Sequence, residues 1–300
     1  MATIRFTNVS KSFGKVVALD DVSFEVEDGE YVCVLGPTGS GKTTLLKLIA
    51  GLLNPDHGTI TFDGRPVNKV SAQNRNAVYV PQQYALFPHL TVLQNVAFGP
   101  LARGAPPAAA LETASKTLEL VRLTWRASAF PSELSGGMQQ RVALARGLAS
   151  GAGLLLLDEP LGALDARLRL DLRHKLRDLV KNSGFTAIHV THDQDEAMSV
   201  GDEIIVLRNG KIQDHGPPRR VYRKPSNIFV ANLIGNASFL EGLVDSTVGE
   251  TAIIELRGGL TVQAPSKNLT LTDPVILALR KERLRISCER LDLDNLFKGE

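Results

Sequence analysis

YVCVLGPTGSGKTTLLKLIAGLL, running from Tyr31 to Leu53, places an apolar β-forming run, a glycine-rich turn and a helix-forming stretch in immediate succession. That order is the strand–loop–helix unit of an α/β fold. Its centre, Gly36-Pro37-Thr38-Gly39-Ser40-Gly41-Lys42-Thr43, fits G-x-x-x-x-G-K-[ST] at every fixed position, with Thr44 directly after. Glycines at these points let the backbone close tightly around phosphate groups and aim successive N–H groups inward. The helix that follows adds the positive end of its dipole at the same place. Lys42 has the reach for terminal phosphates, and the Thr43 hydroxyl has the chemistry to ligate Mg²⁺. The loop therefore predicts nucleotide binding, but it is common to many phosphate-handling classes.

On the N-terminal side, Ile4, Phe6, Val17, Leu19, Val22, Phe24 and Val26 alternate with polar residues, as half-buried antiparallel strands do. On the C-terminal side, Leu154 to Asp158 and Thr186 to His192 are apolar without alternation. Strands buried on both faces of a mostly parallel sheet have this pattern. Residues from about Pro88 to Ser150 read as mainly helical. Leu164, Leu168, Leu172, Leu176 and Leu179 recur at helical spacing up to Gly184, a helix stop, with the charges between them expected on a solvated face. Prolines at 217, 218 and 225 mark a change, and beyond about Gly235 short alternating segments predict a small all-β appendage. The basic cluster Arg219, Arg220, Arg223 and Lys224 is expected to be a solvated linker face.

Two further segments narrow the class. Leu154-Leu155-Leu156-Leu157-Asp158-Glu159-Pro160 delivers two carboxylates at the end of a buried strand, where α/β sheets bind ligands. Asp158 is placed to hold Mg²⁺ and Glu159 to face an attacking water. Leu134-Ser135-Gly136-Gly137, before MQQRVALARGLA, opens a helix with a hydroxyl and free N–H groups, a second anion site in one chain. Arg141 and Arg146 on that helix are read as structural.

With these elements in this order, residues 1 to about 235 resemble the nucleotide-binding domain of ABC transporters. The resemblance implies a P-loop NTPase fold of the ABC type, with a mixed sheet core, an antiparallel β subdomain and a helical subdomain at about 88–150. It implies ATP and Mg²⁺ as cofactors, and ATP hydrolysis with Glu159 as base. Gln82, in VPQQYALFPHLTV, resembles the glutamine that meets Mg²⁺ and the attacking water, and whose loop senses the membrane subunit. His192, in VTHDQDEA, resembles the switch histidine at the γ-phosphate. Asp165, in LGALD, resembles the residue of a loop crossing between two ATP sites, and Phe13 an aromatic ring stacked on adenine. Met138 and Gly162 depart from the commonest family residues, a glutamine and a serine, without removing a catalytic group. His189, on the same strand as His192, is expected to be a packed residue.

The family resemblance implies a head-to-tail pair of ATPase subunits, itself or a paralogue, with each ATP between one P-loop and the other Ser135 region. Transmembrane permease subunits would be the direct partners and an extracytoplasmic substrate-binding protein an indirect one. IFVANLIGNASFLEG and VILALRKERLRIS (Val275 to Ser287) resemble the β-barrel regulatory domain appended to importer ATPases for sugars, polyamines, sulfate, molybdate and iron. Residues 236–300 are thus expected to form a short OB-like β domain. The expectation is an importer ATPase, its cargo a sugar or polyamine ahead of oxyanions and iron. Exporter and non-transport ABC ATPases are the alternatives.

Composition sets the outer limits. The 300 residues are 43% hydrophobic and 22% charged, an ordinary globular balance. A formal charge of +2 gives no field for nucleic acid, so no nucleic-acid partner is expected. The two cysteines, Cys33 and Cys288, form no ligand or pairing pattern and are read as structural thiols. No apolar stretch approaches the ~20 residues of a membrane span, and MATIRFTNVSKSFG has no signal-peptide core. The expected location is the cytoplasmic face of the membrane, peripheral to it.

Overall fold

The computed structural model describes residues 3–265, 269–283 and 295. Strands β1 (Ile4–Phe13) and β2 (Val16–Val26) form an antiparallel pair, followed by β3 (Tyr31–Leu35) and helix α1 (Lys42–Ala50). Then come β4 (His57–Phe62), β5 (Arg65–Pro66) and β6 (Ala77–Val80). Helices α2 (Val92–Ala102), α3 (Pro107–Leu120) and α4 (Gly136–Ala149) pack on one another where the sequence reads as helical. The chain continues through β7 (Leu154–Asp158), α5 (Ala166–Ser183), β8 (Thr186–Thr191), α6 (Gln194–Val200), β9 (Glu203–Arg208), β10 (Lys211–Gly216) and α7 (Pro218–Arg223).

Two sheets result. The first is antiparallel, in the order β2-β1-β4-β5, and its alternation is broken by bulges between Phe6 and Ser12. The second runs β10-β9-β3-β8-β7-β6, parallel throughout except at its β10 edge. Strands β3, β7 and β8 are buried at every residue, which is why their sequences lack alternation. One apolar core joins both sheets through α1, where Leu45, Leu46, Leu48 and Ile49 are fully buried. Burying four such side chains contributes on the order of 6–12 kcal/mol of transfer free energy before entropy is counted.

Register decides what meets at the sheet end. Leu35 pairs with Thr191, and Asp158 pairs with Val190. The carboxyl ends of β3, β8 and β7 therefore lie side by side, carrying Gly36, His192 and Glu159 respectively. This is the edge at which open α/β sheets hold ligands.

The chain divides at Lys224/Pro225, upstream of the expected change near Gly235. The second unit holds α8 (Ile228–Leu233) and strands β11 (Ser238–Val248), β12 (Thr251–Leu256), β13 (Thr261–Pro265) and β14 (Pro274–Leu279). They form an antiparallel sheet, β13-β12-β11-β14, around Val244, Ala252, Ile254, Leu256 and Val262. Among the described residues no pairing of β13 with β14 closes it into a barrel. Within this unit Arg280 donates to the carbonyls of Ala231 and Ile234, tying α8 to the end of β14. Of VILALRKERLRIS, the part past Arg283 lies outside the described residues, as does Cys288. Cys33 is a free, buried thiol. No described helix is long and apolar enough to cross a membrane.

Candidate functional site

The glycine-rich loop is a tight cradle. Gly41 caps α1 with φ of +105°, and a Cβ there would stand 2.3 Å from the Ala18 carbonyl oxygen. A Cβ on Gly36 would stand 2.2 Å from the Leu207 carbonyl oxygen. Neither position admits a side chain. Lys42 curls over the loop, its ammonium donating to the carbonyls of Gly36 (2.7 Å) and Pro37 (2.9 Å). Burial lowers its pKa, with the nearby Glu159 and Asp158 carboxylates pulling it back up. The buried Ser40 hydroxyl has no hydrogen-bond partner among the described residues and lies at the loop. A cation, a hydroxyl without a partner and a helix N-terminus gathered in one tight loop are the groups that bind a polyphosphate.

Asp158, buried at the end of β7, accepts from Thr43 Oγ1 at 3.2 Å and from the Tyr79 hydroxyl at 2.8 Å. Burial and the Asp158 carboxylate both hold the Tyr79 phenol well above its usual range, so it stays a donor. The Thr43 hydroxyl and Asp158 carboxylate are adjacent hard oxygens, the donor type Mg²⁺ takes alongside phosphate oxygens.

Glu159 is the centre of the cluster. Gln82 Nε2 donates to one carboxylate oxygen at 3.1 Å, and His192 Nδ1 lies 3.3 Å from the other. Gln83 makes no such contact. The Glu159 backbone has φ of +49°, a left-handed conformation that a non-glycine residue adopts at a cost of about 1–3 kcal/mol. It persists because its N–H donates to the Val190 carbonyl at 2.9 Å and its carbonyl accepts from Gln140 Nε2 at 2.9 Å.

Sequence reasoning missed Gln140 and Tyr79, neither of which has a local motif to mark it. It also misread part of α5. Arg173 is buried, and Arg169 and Arg173 both reach the Asp193 carboxylate beside His192, each at 3.4 Å. Arg169 also donates to the carbonyls of Gly162 and Leu164. These charges are not on a solvated face, because α5 packs against the loop after β8. Arg220 likewise leaves the solvated cluster and pairs with the buried Asp214. His189 is fully buried against the Tyr31 hydroxyl (2.9 Å), and burial lowers its pKa against a partial pull from Glu196. Arg146 holds the loop after Gln82, donating to the carbonyls of Ala85 and Tyr84 and lying over the Phe87 ring.

The structure brings Gly36 through Thr44, Asp158, Glu159, Gln82 and His192 to one place. It puts Ser135, Gly136 and Gly137 elsewhere, at the start of α4. Ser135 and Gly136 are exposed there, with Ser135 Oγ accepting from the Met138 N–H at 3.4 Å. Asp165 is likewise exposed, capping α5 through the Leu168 N–H. Phe13 ends β1 with 48% of its surface exposed, the Lys11 ammonium 5.6 Å from its ring.

A mixed sheet whose P-loop faces an Asp-Glu pair and a strand-end histidine defines a P-loop ATPase. Residues 19–162 match the ABC transporter family. The chain is 43% identical to the spermidine/putrescine import ATP-binding protein PotA of Rubrobacter xylanophilus, over 94% of this chain and 76% of that protein. It is 45% identical to the Fe(3+) ions import ATP-binding protein FbpC of Brucella abortus, over 93% of this chain and 78% of that protein. Among solved structures, a dimeric post-hydrolysis state of the ATP-binding cassette MJ0796 bound to ADP and Pi is similar at 34% identity. Its TM-score is 0.67, covering 72% of this chain and 99% of that one. The chain belongs to the ABC transporter family of ATP-binding subunits. It is an ATPase, with ATP and Mg²⁺ as its cofactors.

Proposed function

We propose that this chain powers an importer, hydrolysing ATP to drive solute uptake through separate membrane permease subunits. The similarity to import ATP-binding proteins along more than nine-tenths of the chain carries the import reading. The contacts of Gln82 and His192 with the Glu159 carboxylate carry the catalytic one. Polyamine is the cargo to test first. Sugar is second on the appended β unit, and Fe³⁺ and oxyanions follow.

In this reading Lys42, the loop N–H groups from Gly36 to Thr44 and Ser40 hold the phosphates, and Phe13 stacks on adenine. Thr43, Asp158 and Gln82 would hold Mg²⁺, which would supply positive charge to offset that of the phosphates. Glu159 accepts a proton from the attacking water, Gln82 orients that water, and His192 donates toward the γ-phosphate. Ser135, Gly136, Gly137 and Asp165 serve the ATP of a second subunit, itself or a paralogue, in a head-to-tail dimer. The exposure of Ser135 and Gly136 at the α4 start supports that role.

The loop after Gln82 is the permease contact, which puts the chain on the cytoplasmic face of the membrane. An extracytoplasmic substrate-binding protein acts through the permease. The nucleotide-binding domain takes in residues 1–235, and residues 236–300 are a short OB-like domain. Purifying the tagged chain from membranes should recover permease subunits, whose reconstituted vesicles take up radiolabelled polyamine only with ATP inside the ATPase compartment. Recovery on ribosomes or DNA without a permease would overturn the import reading.

A further inference from the structure

We infer that Gln140 is a positioning residue through which the exposed end of α4 controls Glu159 of the same chain. The inference rests on the proposed roles of Glu159 and Ser135. Gln140 lies in the second turn of α4, about 7.5 Å along the axis from Ser135 at 1.5 Å per residue, and is buried. Its amide is used at both ends. Nε2 donates to the Glu159 carbonyl at 2.9 Å, and Oε1 accepts from the Ala163 N–H at 2.9 Å. One side chain therefore grips the left-handed Glu159 and the loop of Asp165.

Two observations make this more than ordinary packing. The first turn of α4 lies against the same loop, since a Cβ on Gly137 would stand 3.1 Å from the Ala163 carbonyl oxygen. Farther along α4, Arg146 holds the carbonyls of Tyr84 and Ala85, which also have positive φ, 57° and 46°. Side chains of one helix thus pin two strained segments, the backbone of Glu159 and the loop after Gln82. A helix transmits displacement along its axis as a rigid body. Engagement of a phosphate at Ser135 shifts α4, and Gln140 carries that shift to the Glu159 backbone. The carboxylate is then correctly aimed only when the neighbouring subunit's ATP is in place, which is a coupling between two sites.

The test uses Q140M, which keeps the volume but has neither amide group, and Q140E, which keeps the acceptor for Ala163 but loses the donor to Glu159. Both should bind a fluorescent ATP analogue within about twofold of wild type, melt near the wild-type temperature and lose about 10–100-fold in kcat, the loss of a buried hydrogen bond that holds the Glu159 backbone. The double variant S135D/Q140M should lose clearly less than the product of the single losses, as coupled residues do. Multiplicative losses, wild-type turnover in Q140M, or a kcat loss matched by a fall in melting temperature would each overturn the inference. If neither variant folds, Gln140 is structural and the inference fails. E159Q measured in parallel separates the two levels: normal turnover there sinks the catalytic reading itself, whereas a slow E159Q beside a fast Q140M sinks only the relay.

Discussion

The start of α1 follows Gly39-Ser40-Gly41, and α4 follows Ser135 and opens with Gly136-Gly137, yet the two starts are built in opposite ways. The α1 start is enclosed: Gly36 and Gly41 abut backbone carbonyls, Lys42 is buried, and no side chain caps the helix. The α4 start is open: Ser135 caps it with its own hydroxyl, and Ser135 and Gly136 face solvent. The difference teaches that unsatisfied N–H groups gain or lose function through what surrounds them. Around α1 gather a cation, a carboxylate pair and two polar side chains. Around the α4 start the nearest neighbours are Ala163, Leu164 and Tyr84, a setting compatible with the proposed half of a shared site.

The largest expected effect breaks the enclosed half alone. Glu159→Gln keeps the shape and the contacts of Gln82 but removes the proton acceptor. Turnover should fall by about 10²–10⁴, the range for a general base, with nucleotide binding retained. Steady-state phosphate release together with analogue binding checks this. Wild-type turnover would remove Glu159 from the mechanism.

Next in size is a matched pair that separates the two helix starts. Lys42→Ala should weaken ATP binding by about 10–100-fold, the equivalent of one lost charged hydrogen bond. Ser135→Asp keeps a good N-cap, and the dipole favours it, but its charge repels phosphate. It should leave ATP binding by the isolated chain within about twofold of wild type while lowering turnover by about 10–100-fold. Equilibrium titration and phosphate release on the same preparations decide it. A Ser135→Asp chain with ATP affinity lowered as far as in Lys42→Ala would place both ends in one site and erase the contrast.

The enclosed half was the more legible from sequence, for a physical reason. Gly36 through Thr43 must be contiguous to wrap a phosphate, and Asp158-Glu159 must follow a buried strand, so both leave local patterns. The long-range supports leave none. Gln140 meets Glu159 across 19 positions and Tyr79 meets Asp158 across 79, contacts fixed only when β6 pairs with β7 and α4 packs beside them. Arg173 was misjudged because helical spacing identifies the apolar stripe of α5 but not which flanking charges another loop will cover. The compact units divide at Lys224/Pro225, ten residues before the expected change near Gly235, with α8 in the second unit, where Arg280 donates to the Ala231 carbonyl.

The smallest prediction concerns stability in the enclosed half, where His189 and His192 share one strand end in unlike surroundings. His192 is exposed, while His189 is fully buried with Nδ1 against the Tyr31 hydroxyl and Nε2 3.4 Å from Glu196 Oε1. Burial lowers the His189 pKa below its ordinary value of 6.5 despite Glu196. The unfolded chain therefore binds this proton more readily than the folded one. The contribution of His189 to stability is fully present above about pH 6.5 and declines as pH falls below it, by at most about 1.4 kcal/mol per pH unit. His215 is shifted in the same direction by burial and Arg220, so the wild-type slope contains both. His189→Gln, which cannot gain a proton, isolates the first. Urea midpoints at pH 7.5 and 5.5 should converge for the variant relative to wild type, whose loss on acidification is the greater. Equal losses in the two proteins would mean that the pH dependence of the enclosed half comes from groups other than His189.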